Sequence, residues 1–475
     1  MIHFGTGGWR AIIGDDFIRV NIQRLALAVA RRMKAEECDG RGFVIGYDRR
    51  FLSREAAEWV AEIMASEGIH TRVIDREAPT PLIMFTVKDY GLYYGMAVTA
   101  SHNPALYNGI KLFTKGGRDA VEEVTNEIGD AANAIKEEEL HPIPYAKGIE
   151  TGLIEEINPQ NAYLDSIIRA VNMDAIRSRG LRIILDPMYG VSRTSLQTIL
   201  LTARCDVDVI HERHDTLFGG RLPAPNVDTL GALRASVQEN HADIGIATDG
   251  DADRLGIIDD KGRFIHPNEI LVLLYDYLLR IKGWHGCAVR NLATTHMLDK
   301  VAEAYGEKCY EVPVGFKYIS SAMEEHGAVI GGESSGGLTV RGHIQGKDGI
   351  YAAALLVEML AVTGKKLSEL VEDLYKRYGH LVMLEFDWPF DQDMKDRLQQ
   401  MLMVDKKLPE FSEEITSVSY MDGVKVRFAD GWLIARFSGT EPRLRIFCEM
   451  PSSARARAHV KTMADFCGLK MKEEE

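Results

Sequence analysis

Cysteine, long apolar runs and surplus positive charge are what this 475-residue sequence lacks. Its six cysteines, Cys38, Cys205, Cys287, Cys309, Cys448 and Cys467, are scattered, and no two have the Cys-x-x-Cys spacing of a metal or redox site. That usage excludes a disulfide framework and fits reduced thiols in a cytoplasm. The most apolar stretches, Ile270 to Leu279 and Tyr351 to Val362, are short of a bilayer and each carries an acid. Met1 to Arg10 shows no basic segment followed by an apolar one, so no export signal is expected. Lys plus Arg number 56 against 70 Asp plus Glu, a formal charge of −14. That balance argues against nucleic-acid and anionic-membrane partners, which are held mainly by Lys and Arg. A phosphorylated small molecule stays open, because it needs only a few local cations.

What is present is ordinary globular composition, 46% hydrophobic and 27% charged, in a chain too long for one core. Apolar positions Ile22, Leu25, Ala26, Val29 and Met33 recur at helical spacing, and the short apolar runs Phe43–Tyr47 and Thr71–Ile74 flank a helix over Glu55–Ser66. Such alternation predicts an α/β layer sandwich with a largely parallel sheet. The rhythm restarts after the charged stretch Lys136–Pro159, and again near Asn268. From about Leu381 onward the pattern changes to a hairpin, Val424–Phe428 with Trp432–Phe437, a strand Leu444–Glu449 and a closing helix Ala454–Phe466. The expected fold is therefore three similar α/β/α sandwich domains and a smaller α+β domain. The expected bounds are 1–150, 151–256, 257–375 and 376–475. Phe411-Ser-Glu-Glu and the terminal Met-Lys-Glu-Glu-Glu are expected to be solvated charge.

Four loops carry candidate chemistry. Thr99-Ala-Ser-His-Asn-Pro104 follows a buried strand; Ser101 with His102 beside it and Lys111 downstream reads as a nucleophile with acid–base help, or as a turn. In Asp249-Gly-Asp-Ala-Asp-Arg254 three carboxylates at alternate positions converge on one hard cation, Mg²⁺ or Ca²⁺. An EF-hand is excluded, since its Gly and Glu places hold Arg254 and Asp260. Gly331-Gly-Glu-Ser-Ser-Gly-Gly337 suits sugar hydroxyls through Glu333 and Ser335, although such letters also make plain loops. Arg436-Phe-Ser-Gly-Thr-Glu-Pro-Arg-Leu-Arg445 offers Ser438, Gly439 and Thr440 between arginines whose forks match phosphate oxygens. Together the four describe phosphoryl transfer on a sugar phosphate.

With Phe4-Gly-Thr-Gly-Gly-Trp-Arg10 at the start, these loops in this order resemble the α-D-phosphohexomutase superfamily, the phosphoglucomutases and phosphomannomutases, over essentially the whole chain. The resemblance implies four domains around a central cleft. It implies that Ser101 carries the transferable phosphate and that Asp249, Asp251 and Asp253 hold Mg²⁺ together with a phosphoserine oxygen. His102 and Lys111 become acid–base candidates, with Arg10 and Arg254 near the transferring group. Glu333 and Ser335 would bind sugar hydroxyls, and Lys317 and the Arg436–Arg445 loop the phosphate that stays. A hexose 1,6-bisphosphate would be the intermediate, with glucose 1,6-bisphosphate as activator and a monomer or homodimer as the working form.

The sequence departs from many relatives at Gly337, where they carry histidine, the nearest here being His343. Gly7 and Trp9 differ from the phosphoglucosamine mutase pattern. Glucose phosphate is thus the expected substrate, then mannose phosphate, with glucosamine phosphate as the alternative. A non-catalytic sugar-phosphate sensor would have little reason to keep Ser101 and all three aspartates. A Mg²⁺ phosphatase would need an acidic nucleophile in place of the serine.

Overall fold

The strand Phe43–Tyr47 is buried at every position, as a run covered on both sheet faces must be. It lies in the interior of the first of four sheets in the computed structural model, which describes residues 1–437 and 443–471. Thr71–Ile74 and Tyr94–Val98 pair with it in parallel on either side, and Tyr107–Thr114 closes antiparallel onto Tyr94–Val98. The same order, second strand, first, third, then an antiparallel fourth, recurs twice. It is built from Arg182–Asp186, Asp206–Val209, Ile244–Thr248 and Leu255–Asp259, then from Ala288–Asn291, Cys309–Val312, Ile330–Gly332 and Leu338–Val340. The threefold rhythm read from the sequence is therefore a repeated topology.

The sheets are less parallel than the pattern predicts. Each ends in an antiparallel pair, and the first carries Gly8–Ile12 and Phe4–Gly5 antiparallel beyond that. Buried antiparallel strands read as the same unbroken apolar runs, so periodicity cannot give their direction. The charged stretch after Lys136 also hides a strand. Ile154–Ile157 pairs in parallel with Thr71–Ile74 and forms the edge of the first sheet, so the first unit runs past the expected bound at 150. Its two glutamates are exposed and only its isoleucines are buried, which masks the strand signal.

Helix Gly349–Thr363 is buried nearly throughout, which accounts for the most apolar stretch without a membrane. No helix among the described residues is long and apolar enough to cross one. Asp348 caps it by accepting from the backbone N–H of Ile350 and Tyr351 at 2.9 Å, and the helix packs onto helices of the second unit. One continuous core runs through parts of the first three units, while the fourth unit has its own. That unit is a five-stranded sheet, antiparallel in every pairing, backed by helix Ser453–Phe466. Phe411-Ser-Glu-Glu is not merely solvated: Phe411 packs edge-on against Phe428, and Glu413 pairs with Arg455 at 2.7 Å. Lys472 to Glu475, most of the charged terminal segment, lie outside the described residues.

Candidate active site

The repeated topology explains where the chemistry sits. In each of the first three units the loop joining the third strand to the antiparallel fourth is one of the candidate loops: Thr99 to Leu106, Asp249 to Arg254, and Glu333 to Gly337. In the fourth unit the flanking arginines of the candidate loop lie on paired strands, Arg436 on Trp432–Phe437 and Arg443 and Arg445 on Arg443–Met450. Ser438, Gly439 and Thr440 lie outside the described residues.

Ser101 is buried and has φ of 51°, a left-handed conformation that costs a serine energy and persists only where surroundings impose it. Here the imposing group is Arg50. Its guanidinium donates to the carbonyls of Ser101 and Asn103 at 2.7 Å and of Pro104 and Tyr107 at 2.9 Å. Asp48 pairs with Arg50 at 3.3 Å and accepts from Thr99 Oγ1 at 2.7 Å, while Thr99 Oγ1 accepts from the Ser101 N–H at 2.9 Å. Arg50 thus spends its fork on four backbone acceptors and fixes the shape of the loop.

The hydroxyl so positioned donates to Asp249 Oδ2 at 2.6 Å and lies 3.3 Å from His102 Nδ1. The second unit's loop reaches this close because Gly250 has no side chain; a Cβ there would stand 2.7 Å from the Ser101 carbonyl oxygen. Asp249, Asp251 and Asp253 are fully buried, and each offers an oxygen within 4.8 Å of the others. Oδ1 of Asp251 and of Asp253 has no hydrogen-bond partner among the described residues. Buried carboxylate oxygens left bare are costly unless something cationic faces them. An all-oxygen donor set fits a hard divalent cation.

Cations from three units already surround the triad. Lys111 Nζ donates to Asp251 and Asp253 at 2.6 Å each, Lys347 Nζ lies 3.0 Å from Asp253, and Arg254 Nε is 3.9 Å from it. Burial pushes the aspartates up, but on Asp253 the ammoniums of Lys111 and Lys347 and the Arg254 guanidinium outweigh it and hold that carboxyl well below its usual range. Asp249 goes the other way, raised well above that range by burial and then by its two acidic neighbours. Arg254, burial and Arg10 hold the His102 imidazole well below its usual value, so the ring is neutral at neutral pH. Arg10 donates to Asn103 Oδ1 at 2.7 Å, which sets it beside the serine loop.

Glu333 is buried; its Oε1 accepts from Asn291 Nδ2 at 3.2 Å and its Oε2 from Ser335 Oγ at 3.2 Å. Arg436 and Arg445 are direct cross-strand partners, an arrangement of like charges that destabilises a sheet unless anions face it. Asp422 answers Arg436 at 2.9 Å, and Asp387 lies 3.8 Å from Arg445. Asp422 also accepts from the Val314 N–H at 3.0 Å, which sets the segment leading to Lys317 beside the hairpin. Lys317 Nζ itself rests on Glu122 of the first unit at 2.8 Å.

Comparison with known proteins agrees with this geometry. Sequence profiles of phosphoglucomutase/phosphomannomutase alpha/beta/alpha domains I, II and III match residues 1–139, 161–262 and 266–378, and that of the C-terminal domain matches 396–466. A phosphoglucomutase/phosphomannomutase from Thermococcus kodakarensis is 32% identical, over 99% of this chain and 98% of its own. This chain belongs to the phosphoglucomutase/phosphomannomutase family. A probable phosphoglucosamine mutase from Pyrococcus abyssi is also 32% identical, over 96% of this chain and 95% of its own. A solved structure of a candidate phosphomannomutase from Thermus thermophilus superposes with a TM-score of 0.84 at 28% identity, covering 98% of this chain and 99% of that one. The enzyme is a phosphohexomutase, an intramolecular phosphotransferase.

Several groups at this phosphohexomutase site escape sequence reading. Asp48 and Arg50 follow a strand end, where ligand loops gather, so the rule that found Ser101 could have found them. Thr80, whose Oγ1 donates to Asp251 Oδ2 at 2.6 Å, gives no such signal. Lys347 explains the departure at Gly337. A Cβ on residue 337 would stand 2.2 Å from the Lys347 Cδ and 2.8 Å from its Cγ, so the lysine stem fills the space of a side chain there. His343 takes no part in that exchange, being buried against Asp348 at 2.6 Å.

Proposed function

We propose that the enzyme interconverts glucose 1-phosphate and glucose 6-phosphate through a phosphoserine at Ser101 and a glucose 1,6-bisphosphate intermediate, and accepts mannose phosphates comparably or less well. The observation that carries this reading is Ser101 Oγ, 2.6 Å from a buried carboxylate of the triad and 3.3 Å from a neutral imidazole. Asp249, Asp251 and Asp253 would hold Mg²⁺, which offsets phosphoryl charge when bound. A sugar hydroxyl then attacks the phosphoserine phosphorus, the P–Oγ bond breaks, and the proton lost by the hydroxyl is balanced by one gained at Oγ. His102 Nδ1 is placed to manage the proton at Oγ. Arg10 and Arg254 face the transferring group, and positioning with charge neutralisation supplies the catalysis.

The bisphosphate turns around and returns its other phosphate to Ser101. Glu333 and Ser335 therefore read hydroxyls presented in both orientations, and Lys317 with Arg436 and Arg445 hold the resting phosphate. Bisphosphate that escapes leaves Ser101 bare, which makes added glucose 1,6-bisphosphate an activator. A substrate panel tests the sugar. Glucose 1-phosphate is expected to give the highest kcat/KM, and Glu333→Ala to lower it for glucose and mannose phosphates alike. Glucosamine phosphate ahead by tenfold, about 1.4 kcal/mol, would make phosphoglucosamine mutase the better description.

Lys347 yields a separate prediction. Lys347→Met removes a buried charge-assisted contact to Asp253, worth about 1.5–3 kcal/mol, and should lower kcat/KM by roughly 10- to 100-fold. Gly337→Ala should act in the same direction by displacing the lysine stem. Steady-state kinetics in which Gly337→Ala is harmless while Lys347→Met is damaging would show that the stem can move aside.

A further inference from the structure

Six residues, Asn291 to His296, lie between the sugar loop and the fourth unit and are bound to both. On one side, Asn291 Nδ2 donates to Glu333 Oε1 at 3.2 Å, and Thr294 Oγ1 accepts from the Ser334 N–H at 3.1 Å. Asn291 Oδ1 in turn accepts from the Ala293 N–H at 3.0 Å and from Thr294 Oγ1 at 2.8 Å, which locks the two contacts into one turn. On the other side, Lys425 Nζ donates to the Leu292 carbonyl at 2.8 Å and lies 3.0 Å from His296 Nε2. Glu449 accepts from the His296 N–H at 2.8 Å and from Trp432 Nε1 at 2.9 Å. Leu292 and Ala293 bury their side chains with Trp432, Ile434 and Phe447, a small core separate from the main core of either unit.

Lys425 itself is buried, 4.2 Å from the Trp432 ring centroid and paired with Glu311 at 2.5 Å. Its contacts with the Leu292 carbonyl, the His296 ring and the Glu311 carboxylate fix the seat of the hairpin that carries Arg436 and Arg445. The turn is short, and its hydrogen bonds leave Asn291 and Thr294 little freedom to move independently of Leu292 and His296.

We propose that this turn is a positioning device that couples the seating of the phosphate-binding unit to the aim of Glu333. When the fourth unit sits on Leu292 and His296, Asn291 and Thr294 hold the Glu333–Ser334 backbone and carboxylate in the sugar-reading position. Loosening the seat lets Glu333 turn away. The device rests on the reading of Glu333 as the sugar contact. Its warrant is direct contact on both sides of one rigid turn, not proximity alone.

A double-mutant cycle of Lys425→Met and Glu333→Gln, read as kcat and KM for glucose 1-phosphate, tests the coupling. Lys425→Met alone should raise KM about fivefold or more with kcat largely kept, and in the Glu333→Gln background its effect should shrink to within about twofold. A merely structural role would lower the active fraction, and hence kcat, by the same factor in both backgrounds. Equal effects of Lys425→Met in the two backgrounds would overturn the proposal. If Glu333→Gln by itself changes nothing, the sugar-contact reading fails instead. Should Lys425→Met not fold, Trp432→Phe, which removes the indole N–H bond to Glu449 and trims the buried ring against Leu292, Ala293 and Lys425, is put through the same cycle with the same criterion.

Discussion

Ser101→Ala is expected to reduce mutase turnover by roughly 10⁴-fold or more, because it removes the atom proposed to carry phosphate between the two half-reactions. Among the described residues no other hydroxyl is placed like this one, donating to Asp249 at 2.6 Å beside the neutral His102. Incubation with glucose 1,6-bisphosphate should phosphorylate the parent enzyme once, on the peptide containing Ser101, and leave the variant unmodified by mass spectrometry. Folding should survive. The loop is held by Arg50 through four carbonyls and by the Asp48–Thr99 contact, none of which uses the serine side chain. A variant that turns over at the parent rate would remove the phosphoserine from the mechanism. A loss of activity accompanied by a large drop in Tm would instead indicate that Oγ is a structural group.

That separation of scaffold from chemistry also accounts for what the sequence makes legible. Thr99–Pro104, Asp249–Arg254 and Glu333–Gly337 stand out because each packs its reactive groups into five or six consecutive residues on one turn. The strand Phe43–Tyr47 is where its apolar run predicts it, and the closing helix read from Ala454 to Phe466 begins one residue earlier, at Ser453. Arg50 works on carbonyls about fifty residues away, Thr80 on Asp251, Lys347 on Asp253; no local pattern records such pairings. Strand Ile154–Ile157 fails for a different reason: two residues of an edge strand face solvent, and charge hides the signal. Gly337 is visible as a departure, but its meaning requires seeing Lys347 in the space it vacates.

The triad supports the second large effect, Asp251→Asn. Asp251 divides its two oxygens: Oδ2 accepts from Thr80 Oγ1 and Lys111 Nζ at 2.6 Å each, whereas Oδ1 is buried without a hydrogen-bond donor among the described residues. Asparagine can keep its one oxygen for Thr80, and Lys111 keeps Asp253, so the protein should fold. What is lost is a full negative charge and one of the three hard ligands proposed for the divalent cation. Turnover should fall on the order of 10²-fold or more, and cation affinity at least about tenfold. Chelator should reduce the parent enzyme to a comparable level, with Mg²⁺ restoring it. Melting curves give a readout independent of activity. A cation that binds the folded state raises Tm by an amount set by its concentration over Kd, so the parent should gain Tm as Mg²⁺ is added while the variant gains little at the same concentration. Parent-like rates in chelator, or equal Mg²⁺-dependent gains in Tm for parent and variant, would mean that these aspartates serve Lys111 and Lys347 alone and that no cation belongs among them.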